Sequence, residues 1–179
     1  MTPTADVSVR PARAGEAEAV AAVQVAAWTE RYARLLPAGV LAGLDPAGLA
    51  VQWRAAVQSP PSPRHLLLVA LEGAAVRGFA AVGPATDDDS RGSGELLTLL
   101  VLPGAERRGH GSRLLQAAAA HWREFGWSEA VAWVLDGDTV LRDFLLSAGW
   151  GSDGATRGLD TGEREIGQVR LHTDLRDPT

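Results

Sequence analysis

The sequence predicts one α/β domain, α+β in the looser sense, with a mixed central sheet and helices on both faces. Three observations carry this. The 179 residues, 46% hydrophobic and 22% charged, suffice for one sizeable core and fall short of two. Apolar spacing is helical up to about residue 57, shortens to a strand hairpin, and then alternates strand, helix, strand, helix. Glycines stand at the ends of the later helical runs, as helix stops do. No internal repeat or heptad run competes, so the domain is expected to span 1–179 with its core at about 7–175.

The elements follow in chain order. "VRPA" near residue 9 opens a strand. Residues 14–35 place Ala17, Val20, Ala21, Gln24, Ala27, Trp28, Arg31, Tyr32 and Leu35 on one helical face, ending near Pro37. A second helical stretch from about Ala38 to Val57 breaks at Asp45-Pro46. "QSPPSPR" (58–64), with three prolines in seven residues, is an extended connector. Leu66–Leu71 and Val76–Val82 form a hairpin around "EGA". The acidic, glycine-rich "TDDDSRGSG" (86–94) is expected to be a mobile loop. "ELLTLLVLP" is a strand apolar on both faces, hence buried between two layers. A helix from about Gly109 to Phe125 turns Leu114, Leu115, Ala118, Trp122 and Phe125 inward. Strand "AVAWVL", turn "DGD" and helix "TVLRDFLLSA" come next. A last pair, about 155–160 and 168–175, closes the chain.

Composition excludes several functions. Cysteine is absent, and with it disulfides, thiol nucleophiles and thiolate metal sites. All seventeen basic residues are arginine, so no lysine exists for a Schiff base or a P-loop. The net charge of −5 disfavours a nucleic-acid or general polyanion binder. No signal-like or membrane-spanning run occurs, and a cytoplasmic location is expected. His65, His121 and His172 show no metal-ligand spacing; Asp136 and Asp138 look like a paired-carboxylate metal site, but with glycine between them a turn and a helix N-cap are the better account. Trp28 and Trp53, at helical spacing, are core residues first and cleft walls second.

The densest signal is "GAERRGHGS", 104–112, with three glycines and two adjacent arginines between a buried strand and a helix. Free backbone N–H groups, the helix dipole and nearby arginine make such a turn an anion site. Gly109 and Gly111 allow close approach, and Ser112 adds a donor. Arg107 and Arg108 are expected to contact phosphate, with Arg113 and Arg142 as weaker contributors. His110, between two glycines, is expected to project to solvent beside the phosphates. A dinucleotide fingerprint fails because Leu114 stands at its third glycine, and a P-loop fails for want of lysine.

"E-R-R-G-H-G" followed by "SRLL" resembles the Arg/Gln-x-x-Gly-x-Gly/Ala loop of the GNAT acyltransferases. "DTVLRDFLLSAGW" is similar to that family's Asn-x-x-Ala-x-x-Phe-Tyr-x-x-x-Gly-Phe segment, and Glu95 stands where many members carry a catalytic glutamate. The likeness spans roughly residues 7–175. It implies a GNAT fold and acetyl-CoA as the acyl donor, with direct transfer to an amine in a ternary complex and no metal. It implies that the loop holds the donor's pyrophosphate and that backbone N–H groups of Leu99, Leu100 and Val101 hold its thioester and pantetheine, their side chains being core. It implies Glu95 as general base and Asp138 in place of the asparagine that bonds pantetheine. Glu106 replaces the usual Arg/Gln with some local repulsion. Leu145 replaces the family's tyrosine, a frequent general acid; Tyr32, the one tyrosine, lies on a helix that lines the acceptor site in this family and is read as a substitute acid or substrate contact, with a half-buried structural tyrosine as the plainer alternative. A small-molecule amine is the expected acceptor, a protein N-terminus or lysine the alternative, and a homodimer is left open. The rival from another class is a non-catalytic acyl-CoA-binding module.

Overall fold

The computed structural model describes residues 7–176. In chain order they form β1 (Val7–Pro11), α1 (Ala17–Arg31), α2 (Ala38–Ala42), α3 (Pro46–Gln58), β2 (Leu66–Glu72), β3 (Ala75–Pro84), β4 (Gly94–Val101), α4 (His110–Glu124), β5 (Glu129–Leu135), α5 (Thr139–Ser147), β6 (Gly151–Asp160) and β7 (Glu165–Asp174). The break at Asp45-Pro46 is a helix start: the Asp45 carboxylate accepts from the N–H groups of Ala47 and Gly48, and Pro46 needs no acceptor.

The seven strands lie in the order β1-β2-β3-β4-β5-β7-β6. All neighbours are antiparallel except β4 and β5. Alternating side chains of the central strands enter two separate cores, which is why β2 and β4 read as apolar throughout. Leu68, Ala80, Val82, Leu96 and Leu99 pack with Leu114, Ala118 and Trp122 of α4. Leu67, Val69, Phe79, Ala81 and Leu100 pack on the other face with Val20, Val23 and Ala27 of α1. Trp28 and Trp53 join this second core; the Trp53 indole N–H donates to Gln24 Oε1 at 2.7 Å. Phe125 corrects the sequence reading: it is 36% exposed and stacks edge-on with His121, because α4 ends at Glu124 and Phe125, as its C-cap, leaves the inner stripe of the helix.

The helices-on-both-faces expectation describes β1–β4 better than the rest. On β5, β7 and β6 one face is apolar, with Val134, Leu145, Trp150 and Leu171. The alternate positions carry Trp133, Gln168 and Arg170, and Arg157 of β6 bonds Gln168 and stacks over Trp133. No helix covers these side chains; the acidic loop does. Asp89 takes a bidentate pair from Arg170 at 2.7 and 2.6 Å, and Asp87 accepts the Trp133 indole N–H at 2.8 Å. Asp153 holds the remaining Arg170 Nε at 2.6 Å. Residues 86–94, expected to be mobile, are therefore tied to the sheet, with Ser90 and Ser93 buried. Polar loop composition signals mobility only when the polar groups lack partners.

Arg170 also holds the Asp89 carboxyl below its ordinary range, chiefly through the side-chain hydrogen bonds. A depressed carboxylate contributes stability above its unfolded value and loses it as pH falls through the folded one. Hydrogen exchange of residues 88–93 is expected to stay protected until the pH drops beneath the usual carboxylate range. Asp89→Asn is expected to speed that exchange several-fold at neutral pH; unchanged protection would show that the ion pair does not hold the loop.

Candidate active site

The site begins where the only parallel pair in the described sheet comes apart. β4 and β5 are paired over just three positions, Gly94 with Ala130 through Leu96 with Ala132. A bulge then shifts β4 against β3, so that Val82 opposes Leu96 and Ala81 opposes Thr98. The extra residue, Leu97, is half exposed. Bulging bends a strand and strengthens its twist, while β5 remains on β7 along its whole length. From Thr98 onward the β5-facing edge of β4 has no strand partner. The opened space is a cleft of about 500 Å³, walled by Ala27 and Arg31 of α1, Leu99 and Val101 of β4, residues 105–107 and 109–112, and Val140, Leu141 and Phe144 of α5.

The loop at one end of this cleft makes a concave array of donors. Arg107, at φ 59°, and Gly109, at φ 81°, both take the left-handed conformation. Alternation of this kind turns successive N–H groups inward into a nest. The first helical bond of α4 runs from Arg113 N–H to Gly109 C=O, so the earlier N–H groups have no helical partner. Among the described residues, no acceptor meets any backbone N–H from 107 to 112. A Cβ at Gly109 would sit 2.5 Å from Arg113 Nη1 in addition to the strain of positive φ, and one at Gly111 would press on Phe144 at 3.4 Å.

Of the expected phosphate arginines, Arg107 lines the cleft. Arg108 corrects the reading: its guanidinium turns away to Glu72, at 3.1 and 3.4 Å. Left-handed Arg107 reverses the chain, so adjacent side chains diverge. Arg113 folds back to donate to the Arg108 carbonyl at 3.2 Å, and Arg142 is not among the cleft walls. Glu106 also lines the cleft, and its carboxylate accepts from Gly104 N–H at 2.7 Å. Ser112 lines the cleft.

His110 is the largest departure in the loop. It is 1% exposed instead of projecting to solvent, and neither ring nitrogen has a partner. As the first residue of α4 its side chain is drawn under the turn. Burial lowers its pKa, and Arg113, Arg108 and Arg77 add to that against the opposing Glu72.

Leu99 and Val101 line the cleft, while Leu100 points into the α1-side core. Glu95 lies upstream of the fork, on β4 between Gly83 of β3 and Val131 of β5. It is 6% exposed. Burial raises its pKa; Arg157 opposes the shift, and Asp87 adds to it. A carboxylate whose proton affinity is raised is a stronger base than one in water.

Asp138 is not free to accept from a ligand. As the N-cap of α5 its Oδ1 accepts from Leu141 N–H at 3.1 Å and from Arg31 Nε at 3.0 Å. Its Oδ2 accepts from Arg31 Nη2 at 2.6 Å and from the Tyr32 hydroxyl at 3.1 Å. Four donors fill the roughly four lone-pair sites of a carboxylate. Tyr32 is likewise engaged and 8% exposed, and burial pushes its pKa well above the ordinary value, with Asp138 adding and Arg31 opposing. Its hydroxyl is thus a weaker acid than in water, which counts against Tyr32 as a proton donor. Leu145 is wholly buried in the α4-side core.

Sequence reasoning placed Arg31 on the inner stripe of α1 and gave it no role. The only signal was a charged residue on an otherwise apolar face; its partner lies 107 positions downstream.

Residues 26–150 match the family model described as Acetyltransferase (GNAT) family. The chain is 27% identical over 130 residues to YuaI of Bacillus subtilis (strain 168), an uncharacterized N-acetyltransferase, covering 73% of this chain and 72% of that one. Its fold is similar to that of PaiA N-acetyltransferase from Thermoplasma acidophilum in complex with coenzyme A, with a TM-score of 0.74 at 16% identity over 94% of this chain and 99% of the other. It is also similar to yncA of Salmonella typhimurium, solved with its cofactor acetyl-CoA, with a TM-score of 0.69 at 19% identity over 97% and 96% of the two chains.

Proposed function

The chain belongs to the GNAT acetyltransferase family, and from that premise we propose that it transfers an acetyl group from acetyl-CoA directly to a primary amine of a small molecule. The observation that carries this reading is the nest of free N–H groups at 107–112, opening into a cleft between two diverging parallel strands. The donor set suits a pyrophosphate: many N–H groups, a helix N-terminus, Arg107, and a left-handed Gly109 that leaves the approach free of a Cβ. The unpaired edge of β4 beyond Leu96 offers main-chain groups to the pantetheine amides and the thioester carbonyl.

Bound acetyl-CoA supplies the thioester and a thiolate leaving group. The protein's share is to orient it and to remove the proton of the acceptor ammonium. Glu95 is the base in this reading, reached through water because it sits upstream of the fork. No proton donor for the thiolate is evident: Leu145 is apolar and Tyr32 is bonded to Asp138. With a thiol pKa of about 8.5, release near neutral pH proceeds without one, at the loss of roughly 10²–10⁴-fold in rate. That same feature favours a second reading, an acyl-CoA-binding module without turnover.

Calorimetric titration with coenzyme A, followed by incubation with acetyl-CoA and a panel of small amines and peptides, separates the two by released thiol and product mass. The expected result is binding, abolished or weakened more than tenfold by Gly109→Val, and acetylation of a small amine. Binding with no product across the panel leaves the second reading. Absence of binding to the wild-type chain sinks both.

A further inference from the structure

Arg31 is a wall of the cleft that neither the loop motif nor the family match singles out. Two of its guanidinium nitrogens, Nε and Nη2, are fixed on Asp138 at 3.0 and 2.6 Å. The plane of the group lies over the Tyr32 ring, 5.2 Å from its centroid. The side chain is only 16% exposed. Its third nitrogen, Nη1, has no acceptor among the described residues, although the residue lines the cleft. A rigid cation with one nitrogen and its two protons unsatisfied, on the wall of a ligand cleft, is built to donate to that ligand.

Topology indicates which part of the ligand. The nest follows β4, whereas Asp138 follows β5, and these strands run parallel and diverge. Arg31 is therefore fastened to the α5 side of the fork, where the donor's arm passes. The arm offers two amide carbonyls and the thioester carbonyl, all acceptors. Asp138, itself an acceptor, has no proton to offer these carbonyls, so an aspartate at this helix cap acts through the arginine it holds.

Resting on the acyl-CoA reading above, we propose that Arg31 binds the acyl donor, its Nη1 donating to an amide carbonyl of the pantetheine arm, and that Asp138 is the positioning residue that fixes it.

The test compares coenzyme A with ADP, which carries the pyrophosphate and lacks the arm, on the full chain. Arg31→Ala is the direct variant. Arg31→Lys protects against loss of fold, since an ammonium still neutralises Asp138 but has no planar fork with a spare donor. For a folded variant the expected result is coenzyme A affinity lowered about tenfold to a hundredfold, the range for a charge-assisted hydrogen bond, with ADP affinity unchanged. Equal loss for both ligands overturns the proposal, because Arg31 then serves the phosphates or the loop. No loss for either also overturns it, leaving Arg31 a structural clasp. If the wild-type chain binds neither ligand, the acyl-CoA reading itself fails, and that outcome is distinct from the other two.

Discussion

Glu95→Gln is expected to lower turnover by about 10²–10⁴-fold while leaving the affinity for acetyl-CoA within about twofold of wild type. The separation arises because Glu95 lies on β4 before the fork and is not among the cleft walls. The same substitution is expected to stabilise the protein at neutral pH. Glu95 has a folded pKa raised by burial. For such a carboxyl, its contribution to stability is fully present below the unfolded value, near 4.5, and is lost as pH rises through the folded one. Glutamine carries no charge to desolvate, so the variant's advantage should be present at pH 7 and shrink as the pH falls below the unfolded value. Urea unfolding of both proteins at neutral and acid pH measures this. In wild type the rise of kcat/KM with pH should sit above the ordinary carboxylate value. Retained turnover in the variant would remove Glu95 from the mechanism, and destabilisation at neutral pH would contradict the burial account.

Asp138→Ala is expected to cost about 3–5 kcal/mol, the range for removing one partner of a buried ion pair. It deletes the α5 N-cap, leaves the Arg31 guanidinium without its carboxylate, and strands the Tyr32 hydroxyl in the core. For a chain of this size that corresponds to a melting point lowered by roughly 10 °C or more. Asp138→Asn keeps one cap acceptor and no charge, and should fall between alanine and wild type. A loss under about 1 kcal/mol for alanine, read from thermal or urea unfolding, would show that the clasp between α1 and α5 carries no weight. Because the clasp joins two walls of the cleft, the alanine variant should also bind coenzyme A less well.

The donor-rich turn before α4 was legible because its components are local. Gly109, Gly111 and Ser112 act within one turn, and spacing alone separates this loop from the dinucleotide and P-loop designs. The directions of its side chains were not legible. Arg107 and Arg108 are adjacent and equally basic, yet one faces the cleft and the other pairs with Glu72; the left-handed conformation of Arg107 itself decides, and arginine is not a residue type that announces positive φ. His110 looked free between glycines and is buried because α4 docks onto the sheet there.

By itself the sequence determined the order and type of the elements, the two-faced burial of β4 and the family. Hydrophobic period, helix stops and glycine spacing are properties of neighbours along the chain. Only the tertiary structure decided that the acidic loop 86–94 is tied down by Arg170, that Asp138 is saturated by Arg31 and Tyr32, and that Glu95 is desolvated. Each depends on charged or polar groups tens of positions apart. Whether such a group is free, paired or buried is set by the through-space contact that quenches it, and periodicity holds no record of that contact.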